Sequence, residues 1–307
     1  MKKNILSAII AIFCVTVSGL SLPAQTVNRS QEFASFDAIQ AGSSFQVRLV
    51  ESNRYAADWV VDAVLEEYVE LYVKSHVLYI SLNEKAVPKE IQKSYKGKNA
   101  PDPVLKVTVF VPALSSVVLT DQASLDAVGY YSEVKDFALT ATDNTMVTNL
   151  SVVADACSAS LSRKASVSAE FRADKVALQL EHSSLLVLKQ TASEMAIQSS
   201  GTSSAAISGD CKSVSVQSKG SSKVSLAGEG EQLSVQGQAG SELSATNFTI
   251  ATAQVDLNGA KAWIQAKDEL TVDLKGGAEL IFSGDPKFNV NGISRSSLTR
   301  YENAKKK

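Results

Sequence analysis

The sequence predicts an all-β fold, a parallel β-helix (β-solenoid) with rungs of about 19–20 residues and an N-terminal β-rich cap. Three observations predict it. Apolar anchors recur at a nearly fixed period, side chains alternate inside each repeat, and turn-forming residues fall at one fixed place in it.

The anchors are the middle apolar residues of V-x-V-like triplets: Leu119, Leu139, Ala159, Leu178, Ile197, Val216, Val235, Val255 and Val272. They lie 19 or 20 residues apart until the last interval, which is 17. Two residues before each anchor the column is again apolar, from Val117 and Phe137 through Cys157, Val176 and Met195 to Leu270. Eight residues after it come Ala127, Val147, Val167, Leu186, Ala205, Val224, Leu243, Trp263 and Leu280, also apolar. Each unit therefore carries two short stretches with the two-residue period of a strand. Helical repeats are longer and follow a 3.6-residue period.

Four residues after the anchor stand Ala123, Asp143, Arg163, His182, Gly201, Gly220, Ala239, Gly259 and Gly276. Gly, Asp and His tolerate positive φ, so this column is the corner between the two strands of a unit. Strand, corner, strand and turn at one spacing describe a coil whose neighbouring rungs pair about 4.8 Å apart. A β-sandwich also alternates, but it has no reason to keep one spacing over nine units. On this reading Gln179, Gln198, Gln217, Gln236, Asp256 and Asp273 share an outward column, and Trp263 is core filling.

The cysteines follow from the register. Cys157 takes an inward position and Cys211 lies five residues before its anchor. Their rungs are three apart, about 14 Å along the axis, whereas a disulfide needs Cα atoms within about 7 Å. Two free thiols are expected.

The N-terminal third begins the coil and covers its end. FDAIQAGSSFQVRL, from Phe36 to Leu49, is a related unit, and WVVDAV, YVELYV and HVLYISL between Tyr55 and Leu82 are strands that form the cap a solenoid needs. Residues 33–103 make this β-rich part, and residues 104–300 the regular array; 33–300 form one continuous domain. Within the first part, residues 83–103 carry five lysines and three prolines and break the pattern as an excursion loop.

Residues 1–24 have the pattern of a secretory signal peptide: Lys2-Lys3, an apolar stretch from Ile5 to about Leu20, and a small-residue cleavage site at Leu22-Pro23-Ala24. An uncleaved anchor is the alternative, but the run is short for a spanning helix. A lipoprotein would need a cysteine after a small residue, and Cys14 follows Phe13. The expected location is therefore the periplasm or the cell surface.

Composition excludes some functions. Lys+Arg 30 against Asp+Glu 32 leaves no basic stripe for nucleic acid; the terminal Lys305-Lys306-Lys307 reads as a solvated end. His76, placed in a strand, and His182, at a corner, have no metal-ligand spacing around them. Nucleophile-elbow, phosphate-loop, dinucleotide and calcium-nonapeptide motifs do not occur. No catalytic, cofactor-binding or metal-binding residue is assigned, and no cofactor is expected.

The units FDAIQAGSSFQVRL, KVTVFVPALSSVVLTDQASL and LTVDLKGGAELIFSGDP resemble, in kind and order, the DUF2807 family, described as "putative auto-transporter adhesins" with a head GIN domain. The resemblance runs from about Phe33 to Arg300. It implies an exported β-solenoid of Bacteroidetes and an adhesin role, and it brings no catalytic residues. The auto-transporter part of the description finds no counterpart, because the strands after Phe282 are too few for an outer-membrane barrel.

Two functions follow as expectations. The first is a non-enzymatic envelope or surface protein, an adhesin or binding module presenting a repetitive polar face to an envelope protein, a glycan or another copy of the chain. The second is a carbohydrate-active lyase or hydrolase using Asp256 and Asp273, one rung apart, as a carboxylate pair.

Overall fold

A computed structural model describes residues 25–301. The signal segment, Cys14 and the terminal lysines lie outside the described residues. The chain is a β-solenoid of stacked parallel coils, as its period requires.

Each rung contributes one strand to an anchor face and one to a second face. The long strands Met146–Leu161, Ser166–Leu180 and Leu185–Ser199 pair in parallel with their neighbours along nearly their whole length. Within each, the alternation changes phase. Four outward or half-exposed residues separate buried Phe171 from buried Val176, and four more separate Gln190 from Met195. This phase change is the second corner, where the strand crosses from the second face of one rung to the anchor face of the next.

The first corner is the turn after the anchor. Asp143, Arg163, His182 and Ala239 have φ near +50° to +60°, and Gly201, Gly220, Gly259 and Gly276 occupy the same left-handed region. Between the two faces, the inward columns are closed to solvent and mostly aliphatic. Ala159, Leu178, Ile197, Val216, Val235, Val255 and Val272 pair in one unbroken line and are at most 2% exposed. Each aliphatic side chain sits on the one below, so truncating Leu178 or Ile197 to Ala costs about 2–5 kcal/mol by the usual cavity penalty.

Two details of the register differ from the spacing in the sequence. Leu139 pairs with Val117, and Leu119 pairs with Ala141. The anchor of that rung is therefore Val117, its corner is Asp121-Gln122 with φ of 50° and 66°, and Leu125 stands where Ala127 was placed. A shift of two keeps every side chain on its own face, which is why the pattern concealed it.

The second difference moves a tryptophan. Leu243 pairs with Ala262, and Ser244 pairs with Trp263, which in turn pairs with Ile281. The turn Gly259-Ala260 is one residue shorter than Ala239-Gly240-Ser241 one rung earlier. One residue fewer flips every following side chain. Ala262 and Ile264 point inward at 1% exposure and Trp263 points outward, half-buried.

The cap extends both faces past the first rung. We label β1 (Thr26–Glu32), β2 (Ala38–Ala41), β3 (Gln46–Glu51), β4 (Ala56–Asp62), β5 (Val69–Lys74), β6 (Val77–Leu82), α1 (Lys89–Ser94) and β7 (Leu105–Val111). On the anchor face, β6 lies parallel to β2 and β5 antiparallel to β6. On the second face, β7 lies parallel to β3, followed by β4 and β1, each antiparallel to its neighbour. Two hairpin-like reversals thus close the end of the coil. His76 sits in the β5–β6 turn with φ 61°, outside the strand that its sequence neighbours form.

Candidate functional site

The outward rows of the anchor face differ from the core by one residue step. One row runs from Tyr72 and Tyr79 through Gln40, Val118, Thr140 and Ser160. It continues through Gln179, Gln198, Gln217 and Gln236 to Asp256 and Asp273. The aromatic end is a stacked pair, Tyr72 on Tyr79 with ring centroids 5.1 Å apart.

In the middle of this row the surface becomes concave. A groove of about 190 Å³ is lined by the four glutamines, with Glu181 and Lys219 on its other wall and Ser199 and Ser218 at its base. Its floor is the strand backbone between two outward rows, beneath which lies an inward column. That column reads Leu161, Leu180, Ser199, Ser218, Gly237, Leu257, Leu274 in register. Three successive rungs have lost the large aliphatic group. The two serines are kept satisfied below the surface: Ser199 Oγ bonds Ser222 Oγ at 3.2 Å, and Ser218 Oγ bonds Ser241 Oγ at 3.1 Å. Sequence reading took the glutamines as a plain polar stripe. The signal for a groove was the second outward row two residues on, Glu181, Ser200, Lys219 and Gln238, which forms its other wall.

The carboxylate row ends differently. Asp256 and Asp273 pair in register, one rung apart. Lys275 Nζ lies 2.7 Å from Asp273 Oδ2, and its pKa is raised by that bond and by the charges of Asp273 and Asp256. An ammonium thus accompanies both acids, so the pair is a three-charge surface cluster.

On the second face, Lys223–Glu242 and Lys261–Glu279 form successive ion pairs of 3.0 Å along one outward row. Exposed pairs of this kind are screened by water and add little to stability. Met146, Leu185 and Val187 stand on the same face as exposed apolar residues. Trp263 and Ile281 lie beside the ion pairs as adjacent outward residues.

Residues 83–103 fold back on the cap. Helix α1 presents Ile91, and Tyr95 follows it, both half-buried against the core. Tyr95 Oη donates to Asp62 Oδ2 at 2.9 Å, and the Val104 amide donates to the same oxygen at 3.0 Å. Burial, with help from that carboxylate, pushes the Tyr95 phenol up to about 12.

Cys157 and Cys211 are both free and buried. Burial pushes the Cys157 thiol up to about 12 and raises that of Cys211 as well. His182 is an exposed corner residue. Among the described residues, no group of three His, Cys, Asp or Glu side chains is arranged to hold a metal ion. No helix among them is long and apolar enough to cross a membrane.

Comparison with solved structures supports the architecture. The fold is similar to that of a "putative adhesin" from Parabacteroides merdae, with TM-score 0.52 and 16% identity over 91% of this chain and 97% of that one. It is also similar to a "putative adhesin" from Parabacteroides distasonis, with TM-score 0.50 and 14% identity over 91% and 98% of the two chains. At such identities the likeness concerns the fold alone. No curated protein matches the sequence. The family described as "Putative auto-transporter adhesin, head GIN domain" matches residues 35–209 and 191–286, which together span the cap and nearly all of the coil. The chain belongs to this family, DUF2807.

Proposed function

We propose that the chain is an exported binding module of the cell envelope, an adhesin that acts by surface contact and carries out no catalysis. Family membership carries this reading, because the family's description is that of an adhesin. The outward rows support it. They present amides, hydroxyls and paired charges at strand spacing over many rungs, a surface suited to many weak contacts. The carboxylates weighed for glycosidic chemistry are accompanied by Lys275. The Lys2-Lys3 segment, the apolar run and the small-residue site before Gln25 support export to the periplasm or cell surface.

Beads coated with the chain from Gln25 onward test the reading. Retention on surfaces bearing glycans or envelope proteins, above that of bare beads, is expected. Equal retention of coated and bare beads on every surface overturns it. Export is tested by sequencing the N-terminus of the chain recovered from its native envelope, with Gln25 expected first.

A further inference from the structure

We infer that the glutamine-lined groove is a binding site for an uncharged, linear oligosaccharide. This inference rests on the adhesin reading and names the ligand class of that surface.

The groove runs between two outward rows, the glutamines on one side and the residues two further along each strand, from Glu181 to Gln238, on the other. Leu180 and Leu257 bracket three rungs in which Ser199, Ser218 and Gly237 replace the large side chain. Beneath its floor the core is filled without Leu, because a Cβ on Gly237 would lie 2.7 Å from Leu257 Cδ2, and both serines spend their hydroxyls on Ser222 and Ser241. Over the same rungs the outward row holds four consecutive glutamines.

Amides suit hydroxyl-rich ligands. Each carries donors and an acceptor without charge, and a sugar hydroxyl is likewise both. Gln179 Nε2 is held by Glu181 Oε1 at 3.0 Å across the groove. Gln198, Gln217 and Gln236 are exposed and have no side-chain hydrogen bond among the described residues, so their amides are free for a ligand. They recur at the strand spacing of about 4.8 Å, so a polymer of repeating units laid along the axis meets one amide per rung.

Charge and topology narrow the class further. The opposite wall holds one acid, Glu181, and one base, Lys219, so an anionic polymer gains no net attraction. A polypeptide strand binds sheets by pairing with a free edge. Here the groove lies on a sheet face, where the backbone groups are already used between rungs.

The test titrates the chain from Gln25 onward with an array of neutral linear oligosaccharides, with oligogalacturonate and with an extended Ala/Ser peptide. The double variant Gln198→Ala, Gln217→Ala is run beside it. Both residues are exposed, so the variant keeps the fold, which circular dichroism verifies. A variant on the other face, Lys223→Ala, is the control. Binding of a neutral oligosaccharide that the double variant weakens about tenfold or more, and the control leaves unchanged, is the expected result. The inference is overturned if no neutral oligosaccharide binds, if the double variant binds as the parent does, or if only the anionic polymer or the peptide binds. If coated beads adhere and the double variant adheres equally, the groove assignment fails and the adhesin reading stands.

Discussion

The Tyr95 hydroxyl and the Val104 amide converge on one oxygen of Asp62, at 2.9 Å and 3.0 Å. Asp62 is 1% exposed at the end of β4, so a buried carboxylate of the cap fastens the later part of the lysine-rich excursion, from Tyr95 to its end. The segment between them is thereby pinned at its base while its lysines face water.

Asp62→Ala leaves the Val104 amide and the Tyr95 hydroxyl without their acceptor. Orphaning a buried donor costs about 1–3 kcal/mol. The expected outcome is a lower melting temperature together with faster tryptic cleavage at Lys96 and Lys98, while the coil itself stays resistant. Cleavage at the parental rate in the variant shows that the excursion is held by other contacts.

Alkaline pH acts on the same contact. The Tyr95 phenol rises from 10.0 to about 12 in the fold, first through burial and then through the Asp62 carboxylate. The folded chain thus holds this proton more tightly than the unfolded chain. Its stabilising contribution is complete below pH 10 and is lost as pH rises through about 12. Tyr95→Phe removes this contribution to the alkaline loss. Tryptic release of the excursion, followed across that range, is therefore expected to depend less steeply on pH in the variant than in the parent.

Most of the coil was legible because stacking constrains every rung alike. An inward Val or Leu needs an apolar residue above and below it, so Ala159 through Val272 repeat in the sequence as they stack in space. Trp263 was misplaced because face depends on parity, and one residue lost in the Gly259 turn changes parity without disturbing the period much. The groove was hidden for a different reason. Gln198 and Gln217 look like any solvated pair, and the trough between their row and the row two residues on shows only when the rungs are stacked in space.

The thiols report the register chemically. Cys157 lies in the column between Phe137 and Val176, and Cys211 pairs with Ala192 at the second corner. Both are buried with raised pKa, which leaves little thiolate to react. Iodoacetamide at about pH 8 is expected to leave the native chain from Gln25 onward unlabelled and to modify both cysteines after denaturation in urea. A bridged Cys157–Cys211 peptide in a non-reducing digest contradicts the three-rung separation.

Two glycines separate the energetic cost of a backbone angle from that of rung contact. Gly129 and Gly201 have nearly the same φ, 73° and 71°. A Cβ on Gly129 meets nothing within 4 Å, whereas on Gly201 it comes within 2.7 Å of the His182 carbonyl oxygen and 2.9 Å of its Cα. The left-handed region alone costs a residue with a Cβ about 1–2 kcal/mol. Gly129→Ala should therefore destabilise by about that amount. Gly201→Ala carries the same angle penalty and must also push two backbones apart at the corner, against parallel pairing on both sides of it. It is expected to cost clearly more in urea denaturation, with loss of the turn bond from Thr202 to the His182 carbonyl, 2.6 Å in the parent. Equal losses in the two variants show that the corners are not in contact, and the stacked coil would then have to be rebuilt with its turns splayed.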